Sequence, residues 1–470
     1  MANPKRKIYG LAAVVLSYFV FVYLVPRPAS LTPGAWSITG LFLATVLGSI
    51  IQPVPGGALV LLAITCVPLV SDMKLSDALA GYADSTVWLV QAAFFISRAL
   101  INTGLARRIA LGFVRAFGTH TLGVCYSLGL SDMVLASIIP SNAARSGGVI
   151  LPIARSISEL YGSQPGESSR RMGAYLMAGV YQSICVTAAM FFTGQASNPL
   201  AAQMAGAFGY KVTWAGWLIA GLVPGLFSLA LVPWIVMKLY PPEVKHTPEA
   251  AAFAHNEIVK MGPMSRHEKI LAFVFAAVCG AWVSSSWTGI DITVAALCGS
   301  MALLLIGVLK WEDVIGERAA WDIFIWYGGL LRLGKALHEK GVTAAFANGV
   351  GARFEMLDWL PLLLVALLIF YYSHYMFASI TAHLLAMYAP FLALLAHKGA
   401  PLGFVVFSFA CFANLSAGLT NYGTTPSPMY FAQNYVPLRD WWRIGFIVSL
   451  CHLAVWSTVG FGWWKILGLW

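Results

Sequence analysis

The sequence predicts an all-α polytopic membrane protein, with about eleven transmembrane helices and two re-entrant helical hairpins in inverted repeats. Three observations carry this. Hydrophobic residues make up 59% of the 470-residue chain and charged residues 10%, against about 25% charged in a soluble domain. Two polar strings, Ser141-Asn142-Ala143-Ala144-Arg145 and Ser379-Ile380-Thr381-Ala382-His383, lie 238 residues apart, each followed by a proline (Pro152, Pro390) at the same distance. Finally, Arg98-Ala99-Leu100 before Gly104 echoes Lys335-Ala336-Leu337 before Gly341 at an offset of 237. Two landmarks whose offsets agree to within one residue indicate an internal duplication.

A helix needs about 20 apolar residues to cross a bilayer. By that rule the spans fall near 8–25, 34–52, 57–71, 86–105, 172–205 and 213–239, and then near 269–287, 291–309, 321–337, 402–435 and 443–467. Residues 1–30 form an extra N-terminal helix, which reads as a membrane helix and not as a cleavable signal. Residues 31–240 are the first repeat, 241–268 a polar cytoplasmic connection, and 269–470 the second repeat. The stretches 121–160 and 358–397 carry polar residues at their centres (Ser137 to Gly148, His374 to His383). A single crossing would strand these groups in lipid, whereas a hairpin entering and leaving on one side keeps them within protein.

Basic residues test the orientation. With the N-terminus cytoplasmic, Lys5, Arg6, Lys7, Arg107, Arg108, Arg115, Arg155, Arg170, Arg171, Lys245, Lys260, Arg266, Lys269, Lys310, Arg318, Arg439 and Arg443 all fall inside. Outside are fewer: Arg27, Lys74, Lys211, Lys340, Arg353 and Lys398. This bias accounts for the net charge of +10 without nucleic acid, points to a bacterial inner membrane, and makes the two hairpins open to opposite sides. The seven cysteines are scattered without a CxxC pair and form neither a disulfide nor a metal framework. No paired acid and base suggests an enzyme, and no cofactor or metal is expected.

The spans after the hairpins have soft middles, Thr193-Gly194-Gln195-Ala196-Ser197-Asn198-Pro199 and Leu419-Thr420-Asn421-Tyr422-Gly423-Thr424-Thr425-Pro426, where Gly and Pro together break a helix. Tips and breaks gather neutral donors and acceptors: Ser137, Ser141, Asn142, Ser379, Thr381, Asn198, Thr420, Asn421, Thr424 and Thr425. The helix N-termini that follow favour anions, and Arg145 and His383 add charge four residues after each tip serine. The set suits a carboxylate substrate. Competing readings are that Arg145 snorkels to the cytoplasmic surface, that His383 is a satisfied core histidine, and that any one hydroxyl bonds a nearby carbonyl. Asp132 reads as structural.

These four motifs, in order along nearly the whole chain, resemble the divalent anion/sodium symporter family. They are most similar to its exchanger branch of citrate/succinate and tartrate/succinate antiporters and the plastid 2-oxoglutarate/malate translocator. The resemblance implies an ion-transporter-superfamily-like homodimer that moves di- or tricarboxylates by an elevator motion. It also implies substrate binding by Ser141, Asn142 and Ala143, by Ser379, Ile380 and Thr381, and by Ser197, Asn198, Thr420, Asn421, Gly423, Thr424 and Thr425. Ser137, Gly194 and Gln195 are further candidates. The family carries Ser-Asn-Thr at both tips; here Ala143 replaces Thr and Ile380 replaces Asn, which puts sodium coordination in doubt. Arg145 and His383 occupy the places understood to substitute for sodium charge in the exchangers. A fixed cation cannot leave an empty site, and an unpaired Arg145, with His383 if protonated, would cross the membrane as a bare charge unless a dicarboxylate neutralised it. This implies sodium-independent, obligate antiport, with sodium- or proton-coupled dicarboxylate symport as the alternative.

Overall fold

The computed structural model describes residues 4–351 and 357–470, so Arg353 lies outside the described residues, as do the side chains of Lys5 and Arg6. Nine helices among the described residues are long and apolar enough to cross a membrane. The chain is an all-α, multi-pass membrane protein.

The first half runs through α1 (Pro4–Leu24), α2 (Pro33–Ile51), α3 (Gly56–Val70), the short α4 (Leu75–Leu79), α5 (Ser85–Thr103) and α6 (Leu105–Phe117). A helical pair follows, α7 (Thr121–Ala136) and α8 (Leu151–Leu160), and then α9 (Gly173–Met190), α10 (Ser197–Ala207), α11 (Trp214–Leu239) and α12 (Pro248–Met261). The second half contains α13 (Arg266–Thr288), α14 (Ile292–Leu305), α15 (Trp311–Gly316), α16 (Arg318–Glu339) and α17 (Val342–Gly351). Its own pair is α18 (Trp359–Ser373) and α19 (Ile380–His397), followed by α20 (Leu402–Leu415), α21 (Pro426–Phe431), α22 (Leu438–Val455) and α23 (Phe461–Ile466).

Besides the short α4 and α15, three helices exceed the expectation. In α6 the buried face is Leu105, Ala106, Ala110, Leu111 and Val114, while Arg107 and Arg115 project from the other. Such a helix is too charged to be read as a span, yet its stripe needs a partner. It packs on both α7 and α12, and α12 buries Ala250 and Ala254; the stripe of α12 is too small and sparse to stand out in a polar segment. The connection is therefore not a free linker. Thr121 N–H donates to Lys245 O and Thr247 N–H to Thr119 O, tying it to the base of the α7–α8 pair. The third is α17, packed against α19.

The landmarks Arg98 and Lys335 have a structural explanation. Asp84 caps the N-terminus of α5 and pairs with Lys335 of α16 at 2.7 Å. Glu317, at the N-terminus of α16, pairs with Arg98 of α5 at 3.7 Å. Each helix thus clasps the start of the other from its own far part, which requires the two to run antiparallel. Around them the packing is reciprocal as well, α3 on α16 and α14 on α5. At the centre, α9 is buried along its whole length and α20 over nearly all of it.

Candidate functional site

The helix α7 stops at Ala136, and the chain re-enters helix through a wide π-turn, Ala143–Ile150, a feature found mostly as single turns at functional positions. From that turn Arg145 points inward, 0% exposed, which removes the snorkelling reading. Its Nε donates to Asp132 Oδ1 at 2.8 Å, Nη1 to Ile139 O at 2.7 Å and to Gly194 O at 2.9 Å, and Nη2 to Asn142 Oδ1 at 2.6 Å. Asp132 is also 0% exposed, and its Oδ2 accepts from Thr187 Oγ1. The guanidinium therefore pins the hairpin tip to the first helix break. It is neutralised by a carboxylate, contrary to the expectation of an isolated positive charge.

The second hairpin holds its basic group differently. His383, also fully buried, approaches His374 Nδ1 to Nδ1 at 3.1 Å, and its Nε2 lies 3.1 Å from Ser373 Oγ. His374 in turn places Nε2 2.9 Å from Gly423 O, in the second break. Arg145 reaches Gly194 directly; His383 reaches Gly423 through a second histidine. Thirteen residues before Arg145 stands Asp132; the same step back from His383 leads to Phe370, whose ring centroid lies 4.2 Å from the imidazole.

Both tip serines cap the helix they precede. Ser141 Oγ accepts the Ala144 N–H at 3.1 Å and Ser379 Oγ that of Ala382 at 3.4 Å. Since each hydroxyl is used as an acceptor, its own proton remains for an anion. Ser137, Ser141, Ala143, Gln195, Ser379, Thr381 and Asn421 are half-buried and Thr425 is exposed. Asn142, Gly194, Ser197, Asn198, Ile380, Thr420, Gly423 and Thr424 are buried.

Several of these side chains are already engaged. Asn198 donates to Ala188 O and Phe191 O, each at 2.8 Å, and accepts from Asn414 Nδ2 at 2.8 Å; it staples the break and has little left for a ligand. Ser137 Oγ bonds Val134 O, and Asn421 Oδ1 accepts from Trp442 Nε1 at 3.1 Å. By contrast, the buried hydroxyls of Ser197 and Thr420, one at each break, have no partner among the described residues.

The breaks are tied across the two halves. Besides Asn414–Asn198, Tyr181 Oη donates to Ala417 O at 2.7 Å and Gln182 Nε2 to Gly418 O at 2.9 Å. Tips and breaks thus form one bonded assembly: first tip to first break through Arg145, break to break through α9 and α20, second break to second tip through His374. Thr187, Ser373, Asn414, Gln182 and Tyr181 were not among the expected site residues. The amides Gln182 and Asn414 did carry a signal, each lying inside an otherwise apolar span. Among the described residues no group of three or more His, Cys, Asp or Glu side chains could hold a metal ion.

A separate cavity of about 700 Å³ lies between α2 and α16 on one side and α10 and α19 on the other. Its lining is apolar, with Leu200, Leu331, Leu385 and Pro390 among its residues.

Comparison with known proteins agrees with this architecture. Over 97% of this chain and 96% of its own length, the putative malate transporter YflS of Bacillus subtilis is 41% identical. The chloroplastic dicarboxylate transporter 1 of Spinacia oleracea is 38% identical over 96% of this chain and 80% of its own, and the Escherichia coli inner membrane protein YbhI 33% identical over 99% of both. The crystal structure of the Alcanivorax borkumensis YdaH transporter shares the fold at a TM-score of 0.55 and 14% identity, covering 83% of this chain and 88% of that one. The pattern of the family described as the sodium:sulfate symporter transmembrane region matches residues 5–470. The chain belongs to that family of membrane transporters, which are not enzymes.

Proposed function

We propose that this protein is a sodium-independent exchanger of dicarboxylates, and of tricarboxylates of similar reach, across a bacterial inner membrane. One observation carries the reading. The oxygens of Ile139 and Gly194 gather on Nη1 of the Arg145 guanidinium and that of Asn142 on Nη2, with Asp132 on Nε. A covalently attached cation, balanced by its own carboxylate, thus holds the tip to the break without sodium and cannot dissociate. Relatives named as malate and dicarboxylate transporters support the substrate class. The half-buried Ser141, Ser379 and Thr381, and the backbone N–H groups at the starts of the two inner hairpin helices, would hold the carboxylates.

The reciprocal α5–α16 clasps and matching hairpins support two inverted repeats, residues 31–240 and 269–470, with the cytoplasmic connection between them and an elevator motion of the hairpins and broken helices. A homodimer with cytoplasmic N-termini completes the proposal. The test is counterflow in proteoliposomes: labelled malate should enter only vesicles preloaded with a dicarboxylate, whether or not sodium is present. Sodium-driven uptake into empty vesicles would overturn it. Proton-coupled symport is the second reading, favoured by the His374–His383 pair, and a proton gradient across empty vesicles separates it from exchange.

A further inference from the structure

We infer that His374 and His383 form a site for one proton, and that this proton sets the charge with which the carrier moves its anion. The inference rests on the exchange reading above and adds to it the group that changes charge. The hydrogen-bond geometry leaves few arrangements. Gly423 O can only accept, so His374 Nε2 carries a hydrogen. The two Nδ1 atoms lie 3.1 Å apart, leaving room for a single proton between them. With both rings neutral, His383 donates through Nδ1 and its bare Nε2 must accept from Ser373 Oγ.

Ser373, however, has a second acceptor, Phe370 O at 2.8 Å, and only one hydroxyl proton. When His383 takes up a proton on Nε2, it donates to Ser373 Oγ, and the serine proton turns to Phe370 O. Every polar atom of the chain is then satisfied. A second added proton would place two hydrogens face to face between the Nδ1 atoms. The pair is therefore either neutral or singly positive.

Its surroundings allow the charge without fixing it. The rings of Phe370 and Phe377 lie 4.2 and 5.0 Å from His383 by centroid, where an imidazolium meets π-faces. No carboxylate among the described residues bonds either histidine. Titratable groups on the surrounding elements are Tyr371 and Tyr372 of α18, Tyr375 between the hairpin arms, Tyr388 and His397 of α19, Cys411 of α20, Tyr422 at the second break, and Arg439, Asp440, Arg443, Cys451 and His452 of α22. α2, α10 and α17, which also pack on α19, contribute none. Among the described residues buried His452 has no partner for either ring nitrogen, so it lacks the acceptor that Ser373 gives His383. The Arg145–Asp132 pair is already neutral. Of the two buried basic groups that join the tips to the breaks, the histidine pair is thus the one that can offset a dianion at the adjoining Ser379 tip, and it can do so in its protonated form alone.

Sign and test follow. Exchange should be full below the pair's pKa and fall above it, approaching about tenfold per pH unit as one proton is lost. The measurement is malate counterflow across roughly pH 6 to 8, the range in which histidine usually titrates and malate's carboxyls stay ionised, with a trapped dye following proton movement. His374→Gln should flatten the profile at the level wild type shows at high pH. Ser373→Ala should keep the slope but move its midpoint to lower pH, because the charged ring loses its acceptor. A flat wild-type profile, or a His374→Gln variant that loses activity equally at every pH, overturns the proton site and leaves exchange intact. Absence of counterflow at any pH overturns the exchange reading instead.

Discussion

Replacing Arg145 by Ala tests whether the guanidinium is half of a pair or a free charge. The side chains of Arg145 and Asp132 are both 0% exposed and bonded at 2.8 Å. Truncating one member of such a pair strands the other, a loss of about 3–5 kcal/mol. It also orphans Ile139 O, Gly194 O and Asn142 Oδ1, at about 1–3 kcal/mol for each group that water does not reach. A destabilisation of about 3 kcal/mol is therefore the least to expect. The same change leaves a carboxylate and three neutral oxygens around a vacated point, a donor set suited to a hard monovalent cation. Arg145→Ala should then be rescued in part by sodium, whereas wild type should not respond.

The assay is heat-induced unfolding of purified protein in detergent, in sodium or choline chloride at equal ionic strength, for Arg145→Ala, Asp132→Asn and the double variant. Removing both charges should be milder than the sum of the single effects by about 0.5–3 kcal/mol, the range found for coupled neighbours. Single effects that add to within about 0.5 kcal/mol, with no sodium response, would refute the pairing and the convergence of oxygens together.

Other expectations probe the frame. Gly194→Ala would set a Cβ 2.7 Å from Ala188 O and 3.1 Å from Phe191 O, so the break must shift and Arg145 lose an acceptor; counterflow should fall at least tenfold while membrane insertion, read by a C-terminal reporter, persists. Asn414→Leu removes the donor to Asn198 Oδ1 and should destabilise the protein by about 1–3 kcal/mol, measured by the same unfolding assay. Gln203→Cys paired with Lys335→Cys places thiols on the two helices whose side chains now meet at Asp84 Oδ2, each at 2.7 Å. Bridging them with a reducible bis-thiosulfonate cross-linker should block counterflow and reductant restore it, since α10 and α16 must part if the broken helices move against the clasped pair. Full counterflow in the cross-linked protein would rule out that motion.

What the sequence revealed and what it hid differ in kind. Spans, tips and breaks were legible because an apolar run or a Gly–Pro break is local. The helices α9 and α20 matched the expected starts near 172 and 402 for that reason. Amphipathic α6 and α12 were missed because each is legible only once its partner is known: two sparse stripes make one buried interface. At the site, Arg145 and His383 stood out by position. Their partners did not, because Asp132 and His374 come close to them only after the chain reverses, and sequence spacing gives no hint of that distance. The inference that Arg145 travels as a bare charge failed at this step. It treated a residue type as a charge state, while Asp132 one hairpin arm away had already cancelled it.

The resulting asymmetry bears on how two similar halves work in turn. The clasps Asp84–Lys335 and Glu317–Arg98 are reciprocal, yet Asp84 alone also holds the broken helix α10, through Gln203. On the proposed inverted-repeat reading, a contact made by one half and not the other belongs to one of two states, because an exact two-fold would make both or neither. The same reasoning applies to the tips. Arg145 is balanced by its own carboxylate in this structure, which leaves no net charge to answer a bound anion. His383 faces phenyl rings and a serine with a choice of acceptors, and on the proposal above its charge can change. On that proposal one hairpin supplies a constant frame and the other a variable charge. A symmetric site with two arginines would keep two fixed charges and two counter-acids, with nothing left to register whether an anion is bound.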